Sequence, residues 1–194
     1  MFSVIIPTLW KSYRTASLLS DLENCPLVGE IIIIDNANSG YQSNGKIKIV
    51  SPKCNIFVNP AWNLGVKLAK YEQICIANDD INFDTDVFSY LNGRIEGVIG
   101  MDTNNYSSQK SSTFATVRIN ERNWGWGCLF FINKKDWVDI PEQLLIACGD
   151  DYLISQIYAF VVSGVWIRTE VSTTSFSVEF FGIQEQDAIN FKQL

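Results

Sequence analysis

An α/β fold built on a doubly wound sheet is what this sequence predicts, and three observations carry the prediction. Short β-rich runs alternate with helical runs over roughly the first eighty residues. Ile31 to Ile34 form an unbroken β-branched run, as expected of a strand covered on both faces in a parallel sheet. The apolar run "QICIA" stops abruptly at Asn78, Asp79 and Asp80, which marks a buried strand reaching a polar edge.

The elements follow in order. "FSVIIPT" reads as a first strand ending at Pro7 and Thr8, and "WKSYRTASLLSDLENC" as a helix with Ser12 as its cap and Leu18, Leu19 and Leu22 at helical spacing. "GEIIIIDNANSG" is a second strand closing on a polar cluster, "KIKIVS" or "NIFVN" a third, and "PAWNLGVKLAKYE" a helix opened by Pro60. After the fourth strand the pattern loosens. "VFSYLNGRI" reads as helical, "EGVIGMD" and "FATVRI" as strands, and "TNNYSSQKSS" as a polar loop, a candidate lid over residues 102–113. "GWGCLFFINKKDWV" is expected to run from strand into short helix, "GDDYLISQIYAF" to be a helix begun by Asp150 or Asp151, and "VVSGVWIRTEVS" to be the last strand. A closing helix is expected from Ile183. No repeat or linker divides the chain, so one domain is expected over 1–194.

Composition narrows the chemistry. With 194 residues, 47% of them hydrophobic and 13% aromatic, the chain can bury a sizeable core. A net charge of −6 excludes a nucleic-acid surface, which needs clustered Lys and Arg. The five cysteines are scattered and form no CxxC pair, and no run is long enough to span a bilayer, so a soluble cytoplasmic protein in a reducing compartment is expected. Histidine is absent, which leaves acid-base and metal chemistry to carboxylates.

Three motifs fail on inspection. Gly40, Gly45 and Lys46 are spaced as in a phosphate loop, but Ile47 stands where the metal-binding hydroxyl belongs. Asp80, Asn82 and Asp84 alternate as in a calcium loop, yet Thr85 replaces its glycine and Leu91 its glutamate. "GWGCLF" puts Phe130 at the third glycine of a dinucleotide fingerprint.

Ligands of open α/β sheets bind beyond the carboxyl ends of the strands. Here those ends are "PT", "DNAN" and "NDD". A carboxylate pair in such a crevice suits Mg²⁺ or Mn²⁺, which take oxygen ligands. Taken alone, Asp79 and Asp80 read more readily as caps of a helix starting near Asp84 or as a solvated turn.

Taken together, "SVIIPT", "EIIIIDNAN", "NPAWNLGVKLAKYEQICIANDDINFD", "GWGCLFFINKKDW" and "GDDYLI" resemble, in order and spacing, the family 2 glycosyltransferases and their relatives of GT-A fold, over roughly residues 2–155. The resemblance implies a mixed central sheet with a nucleotide-binding half (1–100) and an acceptor-side half (101–194). It implies a metal-dependent, inverting transfer of a sugar from a nucleotide diphosphate, with uridine the favoured base, to a hydroxyl acceptor such as a glycan. Position by position, Pro7 and Thr8 would meet base and ribose, Asp35 the base, and Asn63 and Gly65 the diphosphate side. "NDD" falls on the family's Asp-x-Asp motif, with Asn78 in a place often held by Asp, Asp79 at the donor and Asp80 the ligand of Mn²⁺ or Mg²⁺. Trp124, Trp126 and Gly127 would lie under the acceptor. Asp151 aligns with the general base and Asp150 is its neighbour. Two rivals are a nucleotidyltransferase and a non-catalytic nucleotide- or sugar-binding module.

Overall fold

The structure, a computed structural model, describes residues 1–102, 113–170 and 177–194. The polar run 103–112, expected as a lid, lies outside the described residues. An eight-stranded mixed sheet runs in the order β3-β2-β1-β4-β8-β6-β9-β7. Its strands are β1 (Phe2–Thr8), β2 (Val28–Asp35), β3 (Ile47–Val50), β4 (Gln73–Ala77), β6 (Val98–Met101), β7 (Ala115–Ile119), β8 (Leu129–Asn133) and β9 (Ala159–Ser163). The half from β3 to β4 is parallel, as the strand-helix alternation predicts, and β8 enters antiparallel to both β4 and β6.

Alternation along the strands sorts side chains into two cores. Ile31 and Ile33 join Phe2, Val4 and Ile6 on one face, where α1 (Thr15–Asn24) adds Leu18 and Leu22 and α3 (Asp86–Leu91) adds Phe88. Ile32 and Ile34 join Ile5, Ile74 and Ile76 on the other, under α2 (Val58–Leu68) with Ala61, Trp62 and Val66, and α4 (Gly149–Gln156) with Leu153. Each of the four isoleucines of β2 is at most 1% exposed, and such burial is worth ~1.5–3 kcal/mol per side chain.

Several expectations change. The helix opened by Pro60 begins two residues earlier at Val58, so Pro60 sits in the first turn, where its missing N–H has no intrahelical partner to lose. "NIFVN" contributes no strand, because Phe57 takes φ +64° and the helix starts directly after it. The helix expected over 149–160 stops at Gln156, and the last strand is really two: β9, then β10 (Ile167–Thr169), divided at Gly164. Gly164 has φ +84°, and a Cβ there would stand 2.1 Å from the Thr113 carbonyl oxygen. The closing helix α5 (Val178–Phe191) begins five residues earlier than expected.

β10 pairs antiparallel with β5 (Ile81–Phe83) to make a two-stranded ribbon. Asn78, Asp79 and Asp80 are therefore the turn between the main sheet and this ribbon, and the helix that follows begins only at Asp86, with Thr85 at its cap.

Gly65 brings α2 onto β1 so closely that a Cβ would lie 2.3 Å from Ile5 Cγ2. Ile5 is fully buried and cannot move aside. Gly65→Ala should cost about 1–3 kcal/mol by overpacking, read as a lower urea midpoint with an unchanged m-value.

Candidate active site

Three hydrogen bonds hold the turn at the end of β4. The Asn78 N–H donates to the Cys128 carbonyl (2.9 Å), the Thr15 hydroxyl to the Asp79 carbonyl (3.1 Å), and the Glu170 N–H to the Asp80 carbonyl (3.1 Å). With its backbone fixed from β1–α1, β8 and β10, the turn can present carboxylates at one place. The Thr8 hydroxyl donates to Asp79 Oδ2 and itself accepts the Trp10 N–H at 2.7 Å. Burial pushes the Asp79 carboxyl up to about 6; the Thr8 hydrogen bond opposes this, and the neighbouring charges of Asp80 and Glu170 add to it.

Two cavities open here. The first, about 100 Å³, is walled by Pro7, Thr8, Asn36, Phe57, Asp79 and Phe180 among others; the second, about 250 Å³, by Arg122, Trp124, Gly127, Cys148, Asp150 and Gln184 among others. Both include Val58, Asn78, Asp80 and Ile146, so they adjoin across the carboxyl end of β4. Neither alone reaches the ~300–1,000 Å³ usual for small-molecule sites, but together they reach its lower end.

Asp150 and Asp151 open α4 and meet Arg122. Arg122 Nε lies 3.0 Å from Asp150 Oδ2, while Nε and Nη2 grip Asp151 in a fork at 2.7 and 2.6 Å. Asp150 reaches the second cavity; Asp151 is turned away into the arginine and does not wall it. Burial pushes the Asp150 carboxyl up to about 6 against the attraction of Arg122, with Asp151 raising it further. Gly127 makes room for this group, since a Cβ there would meet Asp150 Oδ2 at 2.4 Å.

The structure thus brings Pro7, Thr8, Asn78, Asp79 and Asp80 to one cavity, and Asn78, Asp80, Trp124, Gly127 and Asp150 to the other. Other sequence-predicted site residues are placed elsewhere. Asp35 is fully buried, and its carboxylate accepts from the Trp10 indole (2.9 Å), the Ala37 N–H (3.2 Å), and the Ser39 N–H and hydroxyl (both 2.8 Å). Burial alone would raise its pKa, but the Ser39 and Trp10 hydrogen bonds hold it below the ordinary carboxylate value. Asn63 binds both the N–H (3.0 Å) and the carbonyl (2.8 Å) of Ile140, and Gly65 is a packing contact; neither walls the two cavities. Trp126 is fully buried, stacked on Phe130, and gives its indole N–H to the Phe160 carbonyl, whereas Trp124 is 59% exposed at the mouth of the second cavity.

Sequence reasoning missed Asn36, Phe57, Arg122, Ile146, Phe180 and Gln184. A lone arginine ahead of the Trp-Gly-Trp turn was the available signal for Arg122. Phe180 and Gln184 arrive from α5, and nothing local in the sequence announces that. Among the described residues, no three His, Cys, Asp or Glu side chains gather in a metal-holding cluster.

No protein-family profile matches the sequence, and no curated protein matches it. Solved structures do match. Staphylococcus aureus TarS 1–349 in complex with UDP-GlcNAc superposes with TM-score 0.63 at 16% identity, over 97% of this chain and 65% of that one. GalNAc-T7 with UDP, GalNAc and Mn²⁺ gives TM-score 0.65 at 12% identity, over 92% and 46%. HddC from Yersinia pseudotuberculosis gives 0.58 at 13%, over 87% and 93%.

The fold is GT-A.

The sequence resemblance therefore holds at the level of architecture, and the GT-A chain described here spans less than two thirds of the TarS 1–349 length. No helix among the described residues is long and apolar enough to cross a membrane.

Asp150 supplies a stability prediction. Its folded pKa of about 6 lies above the ordinary 3.8, so the folded state holds this proton more tightly than the unfolded chain does. The ionised group costs stability above pH 6, and that cost is relieved as pH falls from 6 towards 4. Asp150→Asn should therefore be more stable than the parent at pH 7.5 by on the order of 1–3 kcal/mol. Arg122 keeps Asp151 in the variant, so no cation is orphaned. In urea melts across pH, the difference should shrink between pH 6 and 4.

Proposed function

We propose that this protein is a glycosyltransferase that moves a sugar from a UDP-sugar to a hydroxyl acceptor with inversion, and that it requires a divalent cation. The observation that carries the reading is the convergence of the acidic turn after β4 and Asp150 on adjoining cavities at the carboxyl edge of a GT-A sheet. The neighbours solved with UDP-GlcNAc, and with UDP, GalNAc and Mn²⁺, favour a uridine donor and a metal.

In this reading the nucleoside enters the first cavity against Pro7, Thr8 and Asn36, and the donor sugar points past Asn78 into the second. The residues present fit a hard cation weakly held by protein. Asp80 and Asp79 offer carboxylate oxygens, and with no three-residue cluster among the described residues the remaining ligands would come from diphosphate and water. Bound there, Mg²⁺ or Mn²⁺ would supply the positive charge that stabilises a leaving diphosphate.

Asp150 is assigned as general base, with Asp151 holding Arg122. The assignment departs from the sequence resemblance, which aligns Asp151 with that role, because Asp150 walls the cavity and Asp151 is taken up by the arginine fork. Asp150 takes the proton of the acceptor hydroxyl, the oxygen bonds the anomeric carbon, and the bond to the diphosphate breaks with its electron pair leaving on UDP. With a pKa of about 6, Asp150 is ionised at neutral pH yet close enough to it to accept a proton efficiently.

UDP-glucose, UDP-galactose, UDP-GlcNAc and UDP-GalNAc should be screened by thermal shift and UDP release, with and without Mn²⁺. At least one should stabilise the protein only with metal and be turned over. With that donor, Asp80→Ala and Asp150→Asn should each lose about 10²–10⁴-fold in kcat, Asp151→Asn less, and the parent rate should fall tenfold per pH unit below about 6. Parent-level rates in both Asp80→Ala and Asp150→Asn would overturn the catalytic assignment; metal-dependent binding without turnover would point to a binding module.

A further inference from the structure

Asp187, near the end of α5, is 1% exposed and belongs to none of the motifs discussed above. Its Oδ1 accepts the N–H of Leu145 at 2.9 Å, and its Oδ2 accepts those of Ile146 at 2.7 Å and Ala147 at 2.8 Å. Three successive backbone donors converging on one buried carboxylate fix the conformation of the segment that carries them. The same segment is gripped from the other side by the start of α2. The Leu145 carbonyl accepts from the N–H groups of Val58 (3.0 Å) and Asn59 (2.9 Å), and Asn59 Nδ2 donates to the Ala147 carbonyl (3.0 Å).

The clamped residues lead straight into Asp150. Cys148 follows in a left-handed conformation (φ +60°), and at Gly149 a Cβ would stand 2.2 Å from Asn59 Oδ1, so the entry to α4 has no slack. Ile146 walls both cavities, and α5 itself sends Phe180 into the first and Gln184 into the second. Phe180, Gln184 and Asp187 recur at helical spacing, so one face of α5 spans the whole cleft and ends in the clamp.

We infer that Asp187 is a positioning residue for Asp150, an inference resting on the proposed role of Asp150 as base. Asp187 acts through the 145–147 backbone, which it holds so that the α4 entry aims Asp150 at the acceptor hydroxyl. It touches no substrate.

The test uses the full chain. Asp187→Asn keeps the size but puts an NH₂ where backbone donors converge. It should still unfold cooperatively and bind UDP with Mn²⁺ within about threefold of the parent, while kcat for UDP-sugar turnover falls about 10–100-fold at nearly constant donor KM, as small misplacements of a catalytic group do. Asp187→Glu, which restores the carboxylate, should recover at least about threefold of that loss. A parent-like kcat in Asp187→Asn overturns the inference, as does a loss of UDP affinity as large as the loss of rate. Should the variant not fold, hydrogen exchange on the parent decides: the 145–147 amides should be protected by ~10³-fold or more, whereas exchange at open-loop rates overturns the clamp. An Asp150→Asn variant with parent activity would sink the base assignment itself; an inactive Asp150→Asn beside a fully active Asp187→Asn would sink only the role of Asp187.

Discussion

Strands buried on both faces leave a polar side chain almost nowhere to go except their ends, and the rest of this molecule follows from that restriction. β1, β2 and β4 lie side by side with helices over both faces, so their interiors are isoleucine, valine and phenylalanine. The exception near their amino ends shows what a breach requires. Ser3 and Glu30 are buried, and Glu30 is satisfied by the Ser3 hydroxyl, the Lys48 ammonium and the Lys70 N–H. Burial alone would raise the Glu30 pKa; these partners hold it below the ordinary value. At the carboxyl ends the chain leaves the sheet, so carboxylates can be kept beside open cavities at lower cost.

That restriction also decides what could be read from the sequence. β1, β2 and β4 were legible because double-sided burial writes itself as unbroken apolar runs, and the acidic turn because such a run ended on Asn78, Asp79 and Asp80; β3, only half-buried, had two candidate segments. The antiparallel half was less legible. "YAF" and "VVS" carry no period that separates the end of a helix from a buried strand, and the break at Gly164 is set by its close approach to Thr113, a contact with a segment fifty residues away. β5 was hidden for the same reason, since three residues become a strand only because β10 lies beside them.

Within the site, the types of residue were legible and their orientations were not. Trp124 and Trp126 look alike in sequence, yet Gly100 leaves space for the Trp126 ring alone: a Cβ at Gly100 would be 2.1 Å from Trp126 Cε2. Asp150 and Asp151 are adjacent carboxylates at the start of one helix, where successive side chains point about 100° apart. Arg122 is the tertiary partner that separates them, and its place just ahead of the Trp-Gly-Trp turn does not say which carboxylate it meets. The contributions of α5 to the cleft were unreadable, because a surface helix announces which residues face inward but not what they face.

Hydrogen-bond donors aimed at each buried acid divide these carboxylates into two kinds. Asp35 and Asp187 each collect three or more donors from fixed backbone or side chains, and a carboxylate so occupied is a brace. Asp79 and Asp150 are also removed from water, but burial prevails over their partners and both are pushed up to about 6. Two such acids flanking one cleft, in a chain that carries a net charge of −6, would repel the diphosphate of the proposed donor. In the proposed reaction a cation would offset the repulsion on the β4 side, while Arg122 restrains the charge on the α4 side. The proposed division of labour between a metal-facing turn and a base beside Arg122 therefore rests on charge balance as well as on geometry.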